Sequence, residues 1–96
     1  MDSYVFYVPA QFVDTITIAA LRYFGGYTVF PGARGAWVDD KGVTHYDDIT
    51  IVEIFSDTES VVDTVSEYLF QNGELAVAYK VNGTPHIINK PEDYKW

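Results

Sequence analysis

The order of apolar and polar residues predicts a strand and then a helix at the start of the chain. Residues 3–8 are β-branched and aromatic and stop at Pro9, which is typical of a buried strand. Over residues 12–24 the apolar positions recur at helical spacing. Gly25-Gly26 follows, where glycine accepts the left-handed conformation that ends a helix. The β-branched residues 15–18 leave a strand open as an alternative there.

The middle of the chain predicts a long hairpin. Residues 27–30 predict a strand that is interrupted at 31–35 and resumes at 36–38. Residues 39–42, Asp-Asp-Lys-Gly, have the composition of a turn, and residues 43–55 then predict a long returning strand. We expect the outer half of this hairpin to project beyond the sheet.

The second half predicts a helix and a final hairpin. Ser56-Asp57-Thr58-Glu59 matches the capping box, and apolar residues follow at helical spacing, so the helix is expected over 57–72. Residues 75–81 predict a strand, Asn82-Gly83 is a preferred two-residue turn, and residues 84–89 can pair back. The tail from Lys90 is expected to be irregular, although Trp96 can pack on the body.

The predicted order is therefore βαββαβ with a hairpin extension on the last strand. That order is the split-βαβ, or ferredoxin-like, pattern: an antiparallel sheet with two helices on one face. The short turn between the second and third strands favours an antiparallel over a parallel sheet. The 96 residues correspond to a single α+β domain spanning residues 1–96.

Composition excludes several kinds of function. The chain has no cysteine, and therefore no disulfide, thiolate nucleophile or cysteine-ligated metal. It shows neither a signal-peptide pattern nor an apolar run of about 20 residues, so we expect a cytoplasmic protein. The net charge of −8 argues against direct binding to nucleic acid or to an anionic membrane. Solubility is the simplest explanation of that charge, and attraction to a basic partner protein is the alternative.

The glycine-rich stretch Gly32-Ala33-Arg34-Gly35 is the first candidate site. Its backbone amides could form an anion-binding nest, and Arg34 could add a bidentate clamp. It lacks the Lys-Ser/Thr of a Walker loop and does not begin a helix as the dinucleotide fingerprint does. The alternative is a β-bulge that redirects the hairpin, and the two are compatible.

Several charged residues form further candidates. Glu53 lies inside an apolar run, where it either faces solvent or pairs with Arg22, Arg34 or a ligand. Two acidic pairs, Asp39-Asp40 and Asp47-Asp48, flank one hairpin. They could hold a hard cation, but solvated turn ends are the favoured interpretation.

Catalysis has little support in the sequence. His45 and His86 lie on different predicted strands without carboxylates at metal-ligand spacing, so neither a metal nor another cofactor is expected. No Ser-His-Asp set is recognisable. An enzyme using Glu53 or His45 is therefore the least favoured function.

Aromatic residues exceed what a small core needs, with eight Tyr, six Phe and two Trp. Tyr4, Tyr7, Tyr27 and Trp37 are assigned to strands whose second face has no helix to cover it. That face predicts a homo-oligomer. It also predicts a cleft between subunits where the projecting hairpin and Arg34 could meet a ligand.

Residues 25–54 contain Gly-Gly-x-Thr, Gly-x-Trp and Val-Glu-Ile elements. Through these three elements, residues 25–54 resemble a group of small, mostly uncharacterised phage and bacterial proteins. More distantly, the layout is similar to the PII and CutA-type proteins, which are ferredoxin-like trimers with a long hairpin or loop between strands two and three. The resemblance implies an oligomer with ligand or partner contacts at subunit clefts, of phage or bacterial origin.

Two functions follow as hypotheses. The first is a non-enzymatic, oligomeric binding module that holds a small anionic, nucleotide-like ligand. Its expected site residues are Arg22, Gly32, Arg34, Gly35, Trp37 and Glu53. The alternative is an acidic inhibitor or adaptor that docks on a basic host protein through Asp39, Asp40, Asp47 and Asp48.

Overall fold

The computed structural model describes residues 1–92 and has an α+β fold. Its strands are β1 (Asp2–Pro9), β2 (Thr28–Val38), β3 (Thr44–Ser56), β4 (Ala76–Val81) and β5 (Thr84–Asn89), and its α-helices are α1 (Val13–Phe24) and α2 (Ser60–Gln71). The five strands form one antiparallel sheet in the order β2-β3-β1-β4-β5. The predicted packing of Trp96 lies outside the described residues.

The predicted α+β class and antiparallel sheet are confirmed, but the simple ferredoxin-like βαββαβ order is not matched. A fifth strand, β5, lies at the edge of the sheet, and a short 3₁₀ helix, Ala10–Phe12, precedes α1. The extra strand follows from the turn at Asn82-Gly83, whose φ angles of 48° and 85° suit a tight hairpin. Beyond it, pairing runs without a shift from Val81–Thr84 to Ala76–Asn89.

One core lies between the sheet and the helices. Tyr4, Phe6 and Val8 of β1 alternate into it, as do Val52 and Ile54 of β3. The helices contribute the apolar residues that recur at helical spacing, namely Ile16, Ala20, Val61, Val65, Leu69 and Phe70. Both helices therefore cover the same face of the sheet.

The prediction that Tyr4 lies on the uncovered face is wrong. Its side chain is 1% exposed within the core, because the alternation of β1 groups it with Phe6 and sends Tyr7 to the opposite face. Burial, followed by the nearby charges of Asp2 and Glu59, raises the pKa of the Tyr4 hydroxyl.

Both predicted helices are present, but α2 begins later than the sequence predicts. Helix α1 ends where predicted, since Gly25 has a φ of 88°. The capping box is wrong because Ser56 is still the last residue of β3, opposite Asp2. Its Oγ instead accepts from the Thr58 amide at 3.1 Å, and α2 begins at Ser60.

The glycine-rich stretch is part of β2 and not a loop. The register of β2 on β3 shifts between Phe30 and Ala33, so one additional residue is accommodated there. Gly32 supplies the positive φ of 81° that the irregularity requires. The β-bulge predicted as one alternative is therefore confirmed.

Candidate functional site

The hairpin of β2 and β3 projects beyond the sheet as a two-stranded arm, defined here as residues 33–48. The last pair between β1 and β3 is Pro9–Ile49, so residues 44–48 pair only with β2. Every residue of the arm is exposed or half-exposed. A two-stranded ribbon is marginally stable alone, so the arm depends on contacts between its own side chains.

One side of the arm carries a cluster of such contacts around Trp37. The register places Trp37 opposite His45, and their rings stack with centroids 4.4 Å apart and 17° between planes. The Trp37 indole Nε1 donates to Asp47 Oδ2 at 3.1 Å. These contacts cross between the two strands and fix their relative position.

Asp39 holds the turn of the arm. Its Oδ1 accepts from the backbone amides of Lys41 and Val43, each at 2.9 Å. Its Oδ2 lies 2.8 Å from His45 Nε2. The hydrogen bond to His45, with those from the Val43 and Lys41 amides, lowers the pKa of the Asp39 carboxyl.

The opposite side of the arm, called here the docking face, has exposed apolar side chains. Tyr46 is 72% exposed and Val38 is 63% exposed. Cross-strand pairing places the following residues on this face: Arg34, Ala36, Val38, Thr44, Tyr46 and Asp48. The arm is thus held together on one side and free to make contacts on the other.

The residues predicted to bind an anion do not form one site in the isolated chain. Gly32 lies in the bulge and Gly35 in the strand, where an added Cβ would lie 3.2 Å from Ile49 Cγ1. Arg34 stands opposite Asp48 on the docking face, whereas Trp37 belongs to the other side of the arm. Arg22 is exposed in the last turn of α1.

Glu53 lies on the face of the sheet that no helix covers. It is half-buried there, and its Oε2 accepts from Ser3 Oγ at 3.0 Å. Of the alternatives offered for Glu53, the ion pair with Arg22 or Arg34 is excluded, because no such pair occurs within residues 1–92. The hydroxyl of Ser3 therefore supplies one hydrogen-bond donor to the Glu53 carboxylate.

Two pockets within residues 1–92 do not gather the predicted ligand residues. A pocket of about 70 Å³ between the helices and β3 is lined mainly by apolar groups, among them Ile16, Phe24 and Val65. A wider, open pocket of about 250 Å³ lies at Gly25-Gly26. Neither is lined by Arg22, Arg34 or Glu53, and drug-sized ligand sites usually have about 300 Å³ or more.

Sequence reasoning missed the cluster of Trp37, Asp39, His45 and Asp47. It placed His45 on a strand without carboxylate partners and interpreted the acidic pairs as solvated turn ends. The signal was the turn itself: closing the chain at Asp39 and Val43 places Trp37 opposite His45. Writing out the hairpin register would therefore have found the stack.

Two further findings on the described residues concern metal binding and membrane-spanning helices. No group of three or more His, Asp or Glu side chains within residues 1–92 could hold a metal ion. Neither helix in that part of the chain has the length and apolarity required to cross a membrane.

Comparisons with protein families, curated proteins and solved structures find no match to this chain. The arm and the uncovered sheet face therefore provide the basis for the functional argument.

Proposed function

We propose that this protein is a non-enzymatic binding module whose arm docks on a partner protein with a basic surface. The observation that carries the proposal is the exposure of Tyr46 and Val38 on an arm that is held by its own contacts. A preformed element binds with less loss of conformational entropy than a flexible one. Tyrosine is also among the residues enriched at the centres of protein interfaces.

The charge around these apolar side chains indicates the chemistry of the partner. Four aspartates, Asp39, Asp40, Asp47 and Asp48, lie in residues 39–48, within a chain of net charge −8. Asp48 shares the docking face with Tyr46. The docking face itself carries one base, Arg34, beside Asp48, but the arm as a whole has four aspartates against Arg34 and Lys41. A basic patch surrounding an apolar depression would therefore be attracted to the arm at long range.

The surroundings of Arg34 favour this function over the anionic-ligand hypothesis. Its strand partner on the docking face is Asp48. An anion approaching Arg34 would therefore meet a carboxylate of like charge. Binding of a small anion stays a hypothesis whose test is a loss of retained ligand mass in Arg34→Ala, measured by native mass spectrometry.

Tyr46→Ala tests the docking function, with Tyr23→Ala as the matched control. Both tyrosines are exposed, at 72% and 64%, but Tyr23 lies on α1, away from the arm. Partner proteins would be captured from host lysate with the wild type, purified, and titrated against each variant by biolayer interferometry. We expect Tyr46→Ala to weaken binding by roughly 30-fold or more, as for an interface hot spot, and Tyr23→Ala to leave it unchanged.

Charge provides the second part of the same test. Asp47→Asn combined with Asp48→Asn should slow association, and wild-type binding should weaken steeply as salt rises. A captured protein that binds Tyr46→Ala as tightly as the wild type would contradict docking through the arm.

A further inference from the structure

We propose that the uncovered face of the sheet joins two copies of this chain in a dimer whose twofold axis runs along β1. This face, called here the open face, is opposite the helices and separate from the docking face. The inference therefore does not depend on what the arm binds. It replaces the general prediction of a homo-oligomer with one defined arrangement.

Apolar side chains cover most of the open face. On β2 and β5, at the two edges of the sheet, Phe30 is 53% exposed and Ile87 is 71% exposed. Pairing places the following residues on this face: Ser3, Val5, Tyr7, Pro9, Phe30, Ile49, Ile51, Glu53, Phe55, Ala78, Lys80, Pro85 and Ile87. An antiparallel sheet can leave one face to water, but then that face is usually polar.

Two opposite charges interrupt the apolar surface. Val5 of β1 is paired with Glu53 on one side and with Lys80 on the other. Strands lie about 4.8 Å apart, so the backbones of the two charged residues are about 10 Å apart. They form no ion pair with each other. Lys80 Nζ lies 6.0 Å from the centre of the Tyr7 ring instead.

Because β1 is the central strand of the sheet, Glu53 and Lys80 can pair with each other across a symmetric dimer. β1 is the third of five strands, so a twofold axis parallel to it, between two stacked sheets, exchanges β3 with β4 and β2 with β5. Glu53 of one copy then faces Lys80 of the second copy, and the reverse contact forms by symmetry. A twofold axis perpendicular to the strands at Val5 would instead place Glu53 against Glu53 and Lys80 against Lys80.

The same operation matches the apolar residues by position. Phe30 at one edge faces Ile87 of the second copy at the other edge. Ile51, one strand further in, faces the small Ala78 of the second copy. Apolar groups therefore meet apolar groups across the contact, and the small Ala78 leaves room for Ile51 of the second copy, as two packed sheet faces require.

The open face approaches the size that a small specific dimer needs. Five strands about 4.8 Å apart, each contributing about six residues of 3.3 Å, cover about 24 by 20 Å. This is about 480 Å² in projection, and the relief of the side chains increases the accessible area. Specific interfaces begin at about 600 Å² per partner.

Charge reversal tests the dimer and its axis together. Sedimentation velocity over a concentration series would compare the wild type with Glu53→Lys, Lys80→Glu and the double variant. We expect a wild-type dimer, roughly tenfold or greater weakening by each single reversal, and recovery in the double variant. An equimolar mixture of the two single variants should form a heterodimer, because each contact again joins opposite charges.

Controls keep the result interpretable. Lys41→Glu makes the same charge change on the arm turn and should leave the dimer intact. Ile87→Asp, at a position exposed in the single chain, should dissociate the dimer even if a reversal at position 53 disturbs folding, which circular dichroism would reveal. A wild type that is monomeric up to its solubility limit would overturn the proposal. A dimer unaffected by the single reversals and by Ile87→Asp would overturn it as well.

Discussion

Asn82 connects the last hairpin to the first strand of the sheet. Its side-chain Oδ1 accepts from the Ser3 amide, and its Nδ2 donates to Asp2 Oδ1, each at 2.9 Å. It is also the one non-glycine residue with positive φ, 48°, among residues 1–92. The same residue therefore shapes a turn and holds the beginning of β1.

Substitution of Asn82 should separate these two roles. Asn82→Gly keeps the left-handed backbone and loses the side-chain hydrogen bonds, so we expect a loss of about 1 kcal/mol in the free energy of unfolding. Asn82→Ala also incurs the left-handed strain and should lose about 2–3 kcal/mol. Urea denaturation of both variants measures the difference. Equal stability of Asn82→Ala and the wild type would show that neither role matters.

At the scale of the element, the turn of the arm should resist acid until the pH falls below the ordinary range of an aspartate. The lowered pKa of Asp39 means that the unfolded state takes up its proton first as pH falls. The contacts of the Asp39 carboxylate therefore contribute above its ordinary pKa of about 3.9, and are lost as pH falls through the lower folded pKa.

The amides of Lys41 and Val43 provide the measurement, since both donate to Asp39 Oδ1. In an NMR titration from neutral pH downwards, their resonances should move with a midpoint below about 3.9. Asp39→Asn should abolish the transition, whereas Asp40→Asn should preserve it. A midpoint above that value would mean that the contact with His45 does not stabilise the carboxylate in solution.

Helices and hairpins could be predicted from the sequence where the local residues favour the same structure as the packing of the whole chain. Gly25 ends α1 as glycine does at many helix ends, and Asn82-Gly83 gives a two-residue hairpin with the predicted strand. The capping-box prediction was wrong because pairing of Ser56 with Asp2, 54 residues away in the sequence, extends β3 through the expected cap. A local pattern cannot report such a contact.

The candidate site was less predictable than the elements. Alternation alone does not state which face of β1 the helices cover, so Tyr4 was assigned to the wrong side. Likewise, the partner of Glu53 is Ser3, a residue 50 positions earlier that carries no charge to suggest the contact. The Trp37–His45 stack was within reach, since it depends only on the register of one hairpin.

At the scale of the whole molecule, burial and then a distant carboxylate on the arm make the ionised form of Glu74 unfavourable. Glu74 is half-buried after α2, and burial, followed by the charge of Asp47 on the arm, raises the pKa of its carboxyl. The folded state therefore disfavours the ionised form relative to the unfolded chain. That cost applies at neutral pH and disappears once Glu74 is protonated in both states.

Glu74→Gln should accordingly stabilise the protein at pH 7 and have little effect below the ordinary pKa of glutamate. Screening by solvent limits the gain to a few tenths of a kcal/mol, or roughly 1–3 °C in Tm. Thermal unfolding at both pH values measures it, with Asp40→Asn as a control of equal charge change. A gain that is equal in the two variants would reflect net charge and not the position of Glu74.

The bulge in β2 has a counterpart at the other edge of the sheet. Pro31 and Gly32 break the regular row of amides on one outer strand, and Pro85, opposite Lys80, removes an amide from the other. A strand added at either edge would therefore find one backbone donor missing or displaced. Each interruption disfavours growth of the sheet into cross-β fibrils, which strands rich in aromatic and β-branched residues otherwise favour.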